Sequence, residues 1–429
     1  MRSTSSARLG GPVTIARLGG HRRAMVAVPA TTRARRPGRR VRPGAVAALL
    51  AAALLAAAGA AGCSSTSANA GGAATSDPMA GMNMATTMPA QLPPAATPTS
   101  VNVYSHDGAN ALSPNVAGQR QLVYVPNSDQ NSVDVIDPTT FKVIDHYTTG
   151  KNPQHVVPAW DLKTLYVTND LANSLTPIDP TTGKPKGPNI PVDDPYNMYF
   201  TPDGKYAIVV AEARERLDFY DAQTWKLVHQ VHVDCPGVDH IDYSADESFL
   251  VATCEFSGKL VKIDWKNFQV LGYLTIGGMP QDIKLDPQGE VFYVADMQSN
   301  GVHLIDAKTF TKIGFMPTGK GAHGLYPSRN AKLLYVSNRG EGSISLIDFA
   351  TRRIVGRWQI PGGGSPDMGG VSADGSVLWL SGRYNREVYA ISTTDGHLLA
   401  RIPVGAGPHG MSVWPQPGRY SLGHTGILR

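Results

Sequence analysis

A repeat of about 42 residues runs through most of this 429-residue chain and limits the folds that it can adopt. Each copy contains an apolar, β-branched segment that ends in a polar or small residue, and successive copies lie 42, 43, 42, 42, 42 and 44 residues apart. The seven equivalent end residues are Asn127, Asn169, Glu212, Cys254, Asp296, Asn338 and Gly382. This regular spacing indicates one structural unit repeated seven times.

Each unit has the pattern of four short β-strands. Segments such as 132–137 are β-branched and partly alternating, and turns such as Thr-Pro-Asp-Gly at 201–204 separate them. An aspartate ends most of the third strands, where its carboxylate can accept hydrogen bonds from the next turn. These residues are Asp137, Asp179, Asp221, Asp264, Asp306 and Asp348. Four-stranded units of this length without a helical period predict an all-β fold, a seven-bladed β-propeller.

The order of the strands predicts how the ring closes. First strands occur near Gln154, Tyr196, Asp239, Gln281, His323, Asp367 and His409, so the last of them follows the seventh set of other strands. Residues 409–414 are therefore expected to form the innermost strand of the blade whose other strands come from residues 122–149. Pairing the N- and C-terminal strands in one blade removes open sheet edges.

The repeats resemble the YVTN family of bacterial β-propellers. The motif Tyr-Val-Thr-Asn at 166–169, its variant Tyr-Val-Ser-Asn at 335–338 and the Pro-Asp-Gly turn at 202–204 carry the resemblance, which covers about residues 120–417. Relatives include surface-layer proteins, the haem-carrying propeller of cytochrome nitrite reductases and lactone-cleaving enzymes. The resemblance implies the propeller fold, but propellers carry many unrelated activities.

The N-terminal region has the pattern of an export signal. Residues 1–62 hold eleven Arg and no Asp, Glu or Lys, and an apolar run over 45–61 follows the basic part. The small residues before Cys63 resemble a bacterial lipoprotein processing site, which implies cleavage there and a lipid on the Cys63 thiol. We expect an exported protein, lipid-anchored on the outer side of the cytoplasmic membrane or periplasmic.

The rest of the chain divides into a tether over 63–118, a propeller over 119–418 and a tail over 419–429. The tether is rich in Ser, Ala, Pro and Met and has too few large apolar residues to fold. Without the eleven leader Arg, 28 basic residues face 34 acidic ones, for a net charge of −6. This balance argues against nucleic acid as a partner and leaves the membrane and a protein or small-molecule ligand as expected partners.

Candidate ligand-binding residues cluster where the first strands begin, at one mouth of the central channel. Alignment on the hairpin turns makes the first five candidates equivalent, and two more lie within one or two positions of the same point. Arg339 follows a second strand that ends at this mouth. The candidates are His155, Asn197, His240, Asp282, His323, Asp367, His409 and Arg339.

Four of these residues, His155, His240, His323 and His409, can bind a metal through neutral ring nitrogens or act as bases. Alternatively, polar residues gather there because the strand ends are hydrated. Tether methionines offer soft thioether ligands that suit Cu(I), although the composition also fits an unstructured linker. These are Met79, Met82, Met84 and Met88.

Cys235 and Cys254 flank adjoining strands at the same mouth. Export favours a disulfide between them, with a Cys/His metal site including His240, or two free thiols, as alternatives.

The sequence is compatible with three functions. The first is a lipid-anchored binding or scaffold protein that uses the polar mouth. The second is a metal- or haem-dependent redox protein that uses the histidines, and the third is a lactonase or lyase. The sequence contains no serine-nucleophile elbow, phosphate-binding glycine loop or CxxCH haem motif, so it identifies neither a cofactor nor a catalytic residue.

Overall fold

Seven four-stranded antiparallel blades form the protein in a computed structural model, which describes residues 102–424. We number the blades in chain order, and the strands of each blade from first to fourth outward from the axis. Blade 1 contains Ser412–Trp414, Leu122–Asn127, Ser132–Asp137 and Lys142–Thr148. Blade 2 contains Pro153–Pro158, Leu165–Asn169, Ser174–Asp179, and Lys184–Pro185 with Ile190–Pro191. Blade 3 contains Pro195–Phe200, Tyr206–Ala211, Arg216–Asp221 and Leu227–His232.

The remaining blades follow the same order. Blade 4 contains Val238–Tyr243, Leu250–Cys254, Lys259–Asp264 and Gln269–Thr275. Blade 5 contains Pro280–Leu285, Val291–Asp296, Gly301–Asp306 and Thr311–Pro317. Blade 6 contains Ala322–Pro327, Leu333–Asn338, Ser343–Asp348 and Arg353–Gln359. Blade 7 contains Pro366–Val371, Val377–Gly382, Glu387–Ser392 and Leu398–Pro403. The short 3₁₀ helices are Pro114–Val116, Asp170–Ala172, Glu212–Arg214 and Glu255–Ser257.

The ring closes as the strand order predicts. The C-terminal strand Ser412–Trp414 pairs with the start of Leu122–Asn127, with Trp414 opposite Leu122. First strands of neighbouring blades contact one another in an unbroken circuit of seven. The seven-bladed architecture and its closure by both chain ends are therefore confirmed.

Burial follows the position of each strand. Second and third strands are buried on both faces, whereas fourth strands alternate between exposed and partly buried residues. Apolar clusters fill the spaces between adjacent blades, such as the one that joins Tyr199 and Phe219 of blade 3 to Tyr243 of blade 4. The fourth strand of blade 2 is split in two, because Pro185, Pro188 and Pro191 provide no amide hydrogen for a continuous ladder.

The aspartates that end the third strands hold the next turn, as predicted. Asp137 Oδ1 accepts a hydrogen bond from the amide of Thr139 at 2.9 Å, and the same contact recurs in blades 2 to 5. In blade 6, Asp348 Oδ1 accepts from the amide of Thr351, one residue further along. Blade 7 has Ser392 at this position, whose hydroxyl accepts from the amide of Thr394. The turn bonds lower the pKa of Asp137, which is consistent with a structural role for these carboxylates.

Both ends of the described chain pack against the propeller. Residues 102–118, predicted to belong to the tether, lie on the propeller. Val103 donates to the Pro287 carbonyl, the Tyr104 hydroxyl donates to the Leu285 carbonyl, and Val116 is fully buried. None of the helices within 102–424 has the length and apolar character needed to cross a membrane. The predicted signal over 1–62, Cys63 and the tether methionines Met79, Met82, Met84 and Met88 lie outside the described residues.

Trp414 holds the strand that closes the ring, so we expect truncation of its side chain to destabilise the whole fold. Its side chain is 1% exposed, and its indole nitrogen donates to Gln119 Oε1 at 2.6 Å. We expect Trp414→Ala to lower the free energy of unfolding by about 3–5 kcal/mol, measured by denaturant titration. The control is Tyr384→Ala, at a side chain 72% exposed, which we expect to change stability by less than about 0.5 kcal/mol. Equal effects of the two substitutions would contradict this role of the closing strand.

Candidate metal centre

A β-bulge near the start of the first strand turns two consecutive side chains toward the channel. In blade 2 the ladder pairs Pro153 with Asn169 and then Val156 with Val167. The two residues between them, Gln154 and His155, therefore lie opposite a single residue of the second strand. The same two-against-one register occurs in blades 4, 5, 6 and 7. Bulges re-aim side chains in this way at functional sites.

A hydroxyl on the second strand satisfies the backbone of the bulge. Thr168 Oγ1 accepts from the amide of His155 at 3.0 Å, and Thr253 does the same for His240. The hydroxyls of Ser337 and Ser381 accept from the equivalent amides in blades 6 and 7. The third position of the Tyr-Val-Thr-Asn motif therefore keeps a buried amide bonded where the ladder is interrupted.

The bulges create two stacked rings of channel residues, one position apart along the first strands. The outer ring, nearer the mouth where these strands begin, consists of Gln154, Tyr196, Asp239, Gln281, His323, Asp367 and His409. The inner ring consists of His155, Asn197, His240, Asp282, Gly324, Met368 and Gly410.

One predicted equivalence is wrong. Alignment on the hairpin turns placed His323 level with His155, but Ala322 pairs with Asn338. His323 therefore lies in the outer ring, level with Asp367 and His409. The hairpin spacing agrees with the ladder, since the turn begins at Ser328, five residues after His323, whereas in blade 2 it begins at Ala159, four residues after His155.

The inner triad consists of His155, His240 and His424. The ring centroids of His155 and His424 are 4.1 Å apart, and those of His240 and His424 are 4.9 Å apart. One ligand atom from each residue lies within 4.8 Å of the other two, and all three side chains are fully buried. His424 is absent from the candidates that the sequence indicates, because it lies beyond the last repeat and no periodic signal marks it.

The C-terminal tail carries His424 into the channel from the end opposite the mouth. The Ser421 hydroxyl donates to the carbonyl of Pro158, and the amide of Phe200 donates to the carbonyl of Leu422. Pro158 and Phe200 are the last residues of their first strands, and Gly423 then pairs with Tyr199. The tail thus runs back along the axis until His424 meets the inner ring.

The nitrogens of the inner triad are arranged for a cation. His155 Nδ1 lies 2.8 Å from the Tyr196 carbonyl oxygen, which can only accept a hydrogen bond. Nδ1 therefore carries the proton, and Nε2 has a free lone pair. His240 Nδ1 lies 2.7 Å from Asp239 Oδ1. Within the described part of the chain, Nε2 of both residues and both ring nitrogens of His424 have no hydrogen-bond partner. Imidazoles held at one nitrogen by a carbonyl or carboxylate are typical metal ligands.

The outer triad consists of His323, Asp367 and His409. Asp367 Oδ1 lies 3.1 Å from His323 Nδ1, and Asp367 Oδ2 lies 3.6 Å from His409 Nε2. Arg339 Nη1 donates to Asp367 Oδ1 at 3.1 Å. The ring centroids of His155 and His409 are 4.8 Å apart, which places the two triads next to each other along the axis.

The other predicted ring residues are already engaged within the fold. Asn197 donates to the Tyr199 hydroxyl and accepts from the amide of Met198. Asp282 accepts from Lys284 Nζ at 2.9 Å and from the amide of Leu325 at 2.9 Å. These two side chains therefore contribute to the structure of the ring rather than providing free ligand atoms.

Burial keeps most of these imidazoles neutral. It holds the pKa of His155, His424, His323 and His409 well below the usual histidine value. Burial opposes a charge on His240 as well, but the adjacent Asp239 carboxylate raises its pKa overall. Neutral imidazole is the form that binds metal ions.

Acidic side chains surround His240. Burial raises the pKa of Glu212 to about 9 and that of Glu255 to about 7, and repulsion from the Asp239 carboxylate adds to both shifts. Burial also raises the pKa of Asp239. A cation bound nearby would favour the ionised form of these groups, and their negative charge would then stabilise it.

The sulfur atoms of Cys235 and Cys254 lie 2.06 Å apart, the distance of a disulfide bond. The bond joins the loop before the first strand of blade 4 to the end of the second strand. Because both sulfur atoms take part in this bond, neither is available as a metal ligand beside His240.

The YNCE-like β-propeller family matches residues 79–417 of the chain. No curated protein matches the sequence.

Solved structures share the fold at low sequence identity. A functionally unknown protein from Desulfotomaculum acetoxidans has a TM-score of 0.58 and 15% identity, covering 68% of this chain and 98% of its own. Hydrazine synthase from Kuenenia stuttgartiensis has a TM-score of 0.57 and 20% identity, covering 70% and 98%. The dihydro-haem d1 dehydrogenase NirN has a TM-score of 0.55 and 14% identity, covering 74% and 83%. At such identities these similarities concern the fold alone.

The disulfide can be checked in the purified protein. We expect a non-reduced digest, analysed by mass spectrometry, to contain a cross-linked peptide pair that joins Cys235 to Cys254 and separates on reduction. Protein in which both thiols react fully with an alkylating reagent before reduction would contradict the bond.

Proposed function

Since the chain belongs to the YNCE-like β-propeller family, whose fold does not determine an activity, we propose that it is an exported, lipid-anchored metal-binding protein. A first-row transition-metal ion is bound in the channel by His155, His240 and His424. The observation that carries the proposal is the set of unpaired nitrogens on three fully buried imidazoles.

The energetic argument concerns the cost of burying polar atoms without partners. Each unpaired buried nitrogen costs about 1–3 kcal/mol. The inner triad concentrates such atoms from two blades and the tail within 4.8 Å of one another. One ion bonded to a nitrogen of each residue would offset these costs together, and three histidines form a common ligand set for zinc and related ions.

The geometry supports a single ion better than haem or a diffusing substrate. Ring centroids 4.1–5.8 Å apart leave space between the imidazoles for an ion but not for a macrocycle. Arg339 and Arg383 lie over the mouth side, bonded to Asp367 and to Ser128. Side chains that are fully buried suit a firmly held ion more than a molecule that must enter and leave.

The inner triad can be tested by metal titration of the full protein with Zn(II) against a chelating indicator. We expect the wild type to hold an ion at this site. His424→Ala should weaken that binding by at least about tenfold, since even loss of a residue that only orients a ligand costs about 10–100-fold. A His424→Ala variant that binds as many zinc ions as the wild type with the same affinities, or a wild type without a tight site, would contradict the proposal.

Two further variants sharpen this test. A Cβ at Gly410 would overlap Cδ2 of His155, so Gly410→Ala should displace that imidazole and weaken binding while keeping every histidine. The matched control is His397→Ala, because His397 is exposed at the surface and contacts Asp395. We expect this control to bind zinc as the wild type does.

The lipid anchor can be tested in cells. We expect wild-type protein to incorporate labelled fatty acid and to sediment with membranes, and Cys63→Ser to lose both properties because it lacks the acceptor thiol. The control is Ser67→Ala, which changes a residue of the same segment and keeps the Cys63 thiol. Equal labelling of Cys63→Ser and the wild type would contradict anchoring at this residue.

A further inference from the structure

We propose that the outer triad, His323, Asp367 and His409, binds a second first-row transition-metal ion, which makes the channel a two-metal centre. This inference extends the proposed function to a different set of residues. It is carried by the acceptor atoms of Asp367 and His409, which face each other in a buried space.

The first step concerns His409. Its Nδ1 lies 2.9 Å from Gln154 Oε1, and an amide oxygen can only accept a hydrogen bond, so Nδ1 carries the proton. Nε2 of the neutral ring then has a free lone pair, and this nitrogen lies 3.6 Å from Asp367 Oδ2. Gln154 holds this ring as the Tyr196 carbonyl holds His155 in the inner triad.

The second step concerns the carboxylate. Asp367 Oδ1 accepts from Arg339 Nη1 at 3.1 Å and lies 3.1 Å from His323 Nδ1, whereas Oδ2 has no hydrogen-bond partner among the residues that the structure describes. Two buried acceptors that face each other repel unless a positive charge lies between them. A separation of 3.6 Å fits two ligands that are each about 2.1 Å from one ion.

The third step concerns charge. Arg339 neutralises part of the charge on Asp367, so a second ion needs another anion nearby. Asp239 supplies it from the same ring, since its Oδ1 lies 2.7 Å from His240 Nδ1 and its Oδ2 has no hydrogen-bond partner within residues 102–424. The ligand set of two imidazoles and a carboxylate is one that zinc, copper and iron accept. Met368 adds a thioether 3.1 Å from His323 Nδ1.

The test is the number of ions bound per chain by the full protein, measured by titration with Co(II) and by elemental analysis after dialysis. We expect two ions in the wild type and one in Asp367→Asn, which keeps the shape of the side chain and can still accept from Arg339. His424→Ala should also retain one ion, at the outer triad, and the double variant should retain none.

A spectroscopic readout tests whether the two ions are neighbours. The ring centroids of His155 and His409 are 4.8 Å apart, so Cu(II) ions in the two triads should show magnetic coupling by electron paramagnetic resonance. We expect the coupling to disappear in Asp367→Asn and in His424→Ala, leaving the spectrum of an isolated ion in each.

The outcomes separate this inference from the proposed function. One ion in the wild type that His424→Ala removes and Asp367→Asn leaves would overturn the second site and support the first. One ion that only Asp367→Asn removes would overturn the inner site and support the outer one. No bound ion would overturn both. If Asp367→Asn does not fold, as judged by circular dichroism, His409→Gln replaces it, since glutamine can donate to Asp367 but lacks the imidazole lone pair.

Discussion

A hydrogen bond between a second-strand hydroxyl and a first-strand amide supports the bulge that shapes the channel in blades 2, 4, 6 and 7. In blade 2 it joins Thr168 Oγ1 to the amide of His155. Without it, the β-bulge would bury an unpaired amide, which costs about 1–3 kcal/mol. With it, two consecutive residues can both face the axis, and the channel gains two rings of polar side chains instead of one.

The two rings concentrate polar atoms that the rest of the fold does not satisfy. Where a blade supplies Asn197 or Asp282, neighbouring amides and Lys284 complete the hydrogen bonds. Where it supplies His155 or His240, the Nδ1 nitrogen contacts a carbonyl or carboxylate oxygen, and the Nε2 nitrogen has no hydrogen-bond partner among the described residues. The same scaffold therefore provides both structural positions and ligand positions, and the choice between them depends on one side chain in each blade.

Much of this architecture follows from local patterns. The blade count, the four strands of each blade, the aspartate turns and the closure of the ring all rest on a period of about 42 residues and on turn chemistry near each strand. These signals act over a few residues, so they can be recognised in the chain itself. The level of His323 follows from such a signal too, because its hairpin turn begins five residues later, at Ser328, and not four residues later as after His155.

The sequence by itself determined a seven-bladed propeller whose mouth collects histidines, because each blade is specified by its own strands and turns. Only the tertiary structure decided which histidines meet. It divided the candidates between two triads one residue apart, and it brought in His424 from beyond the repeats, where Leu422 and Gly423 hold the tail against Phe200 and Tyr199. Such contacts join residues more than 200 positions apart, and no periodic pattern encodes them.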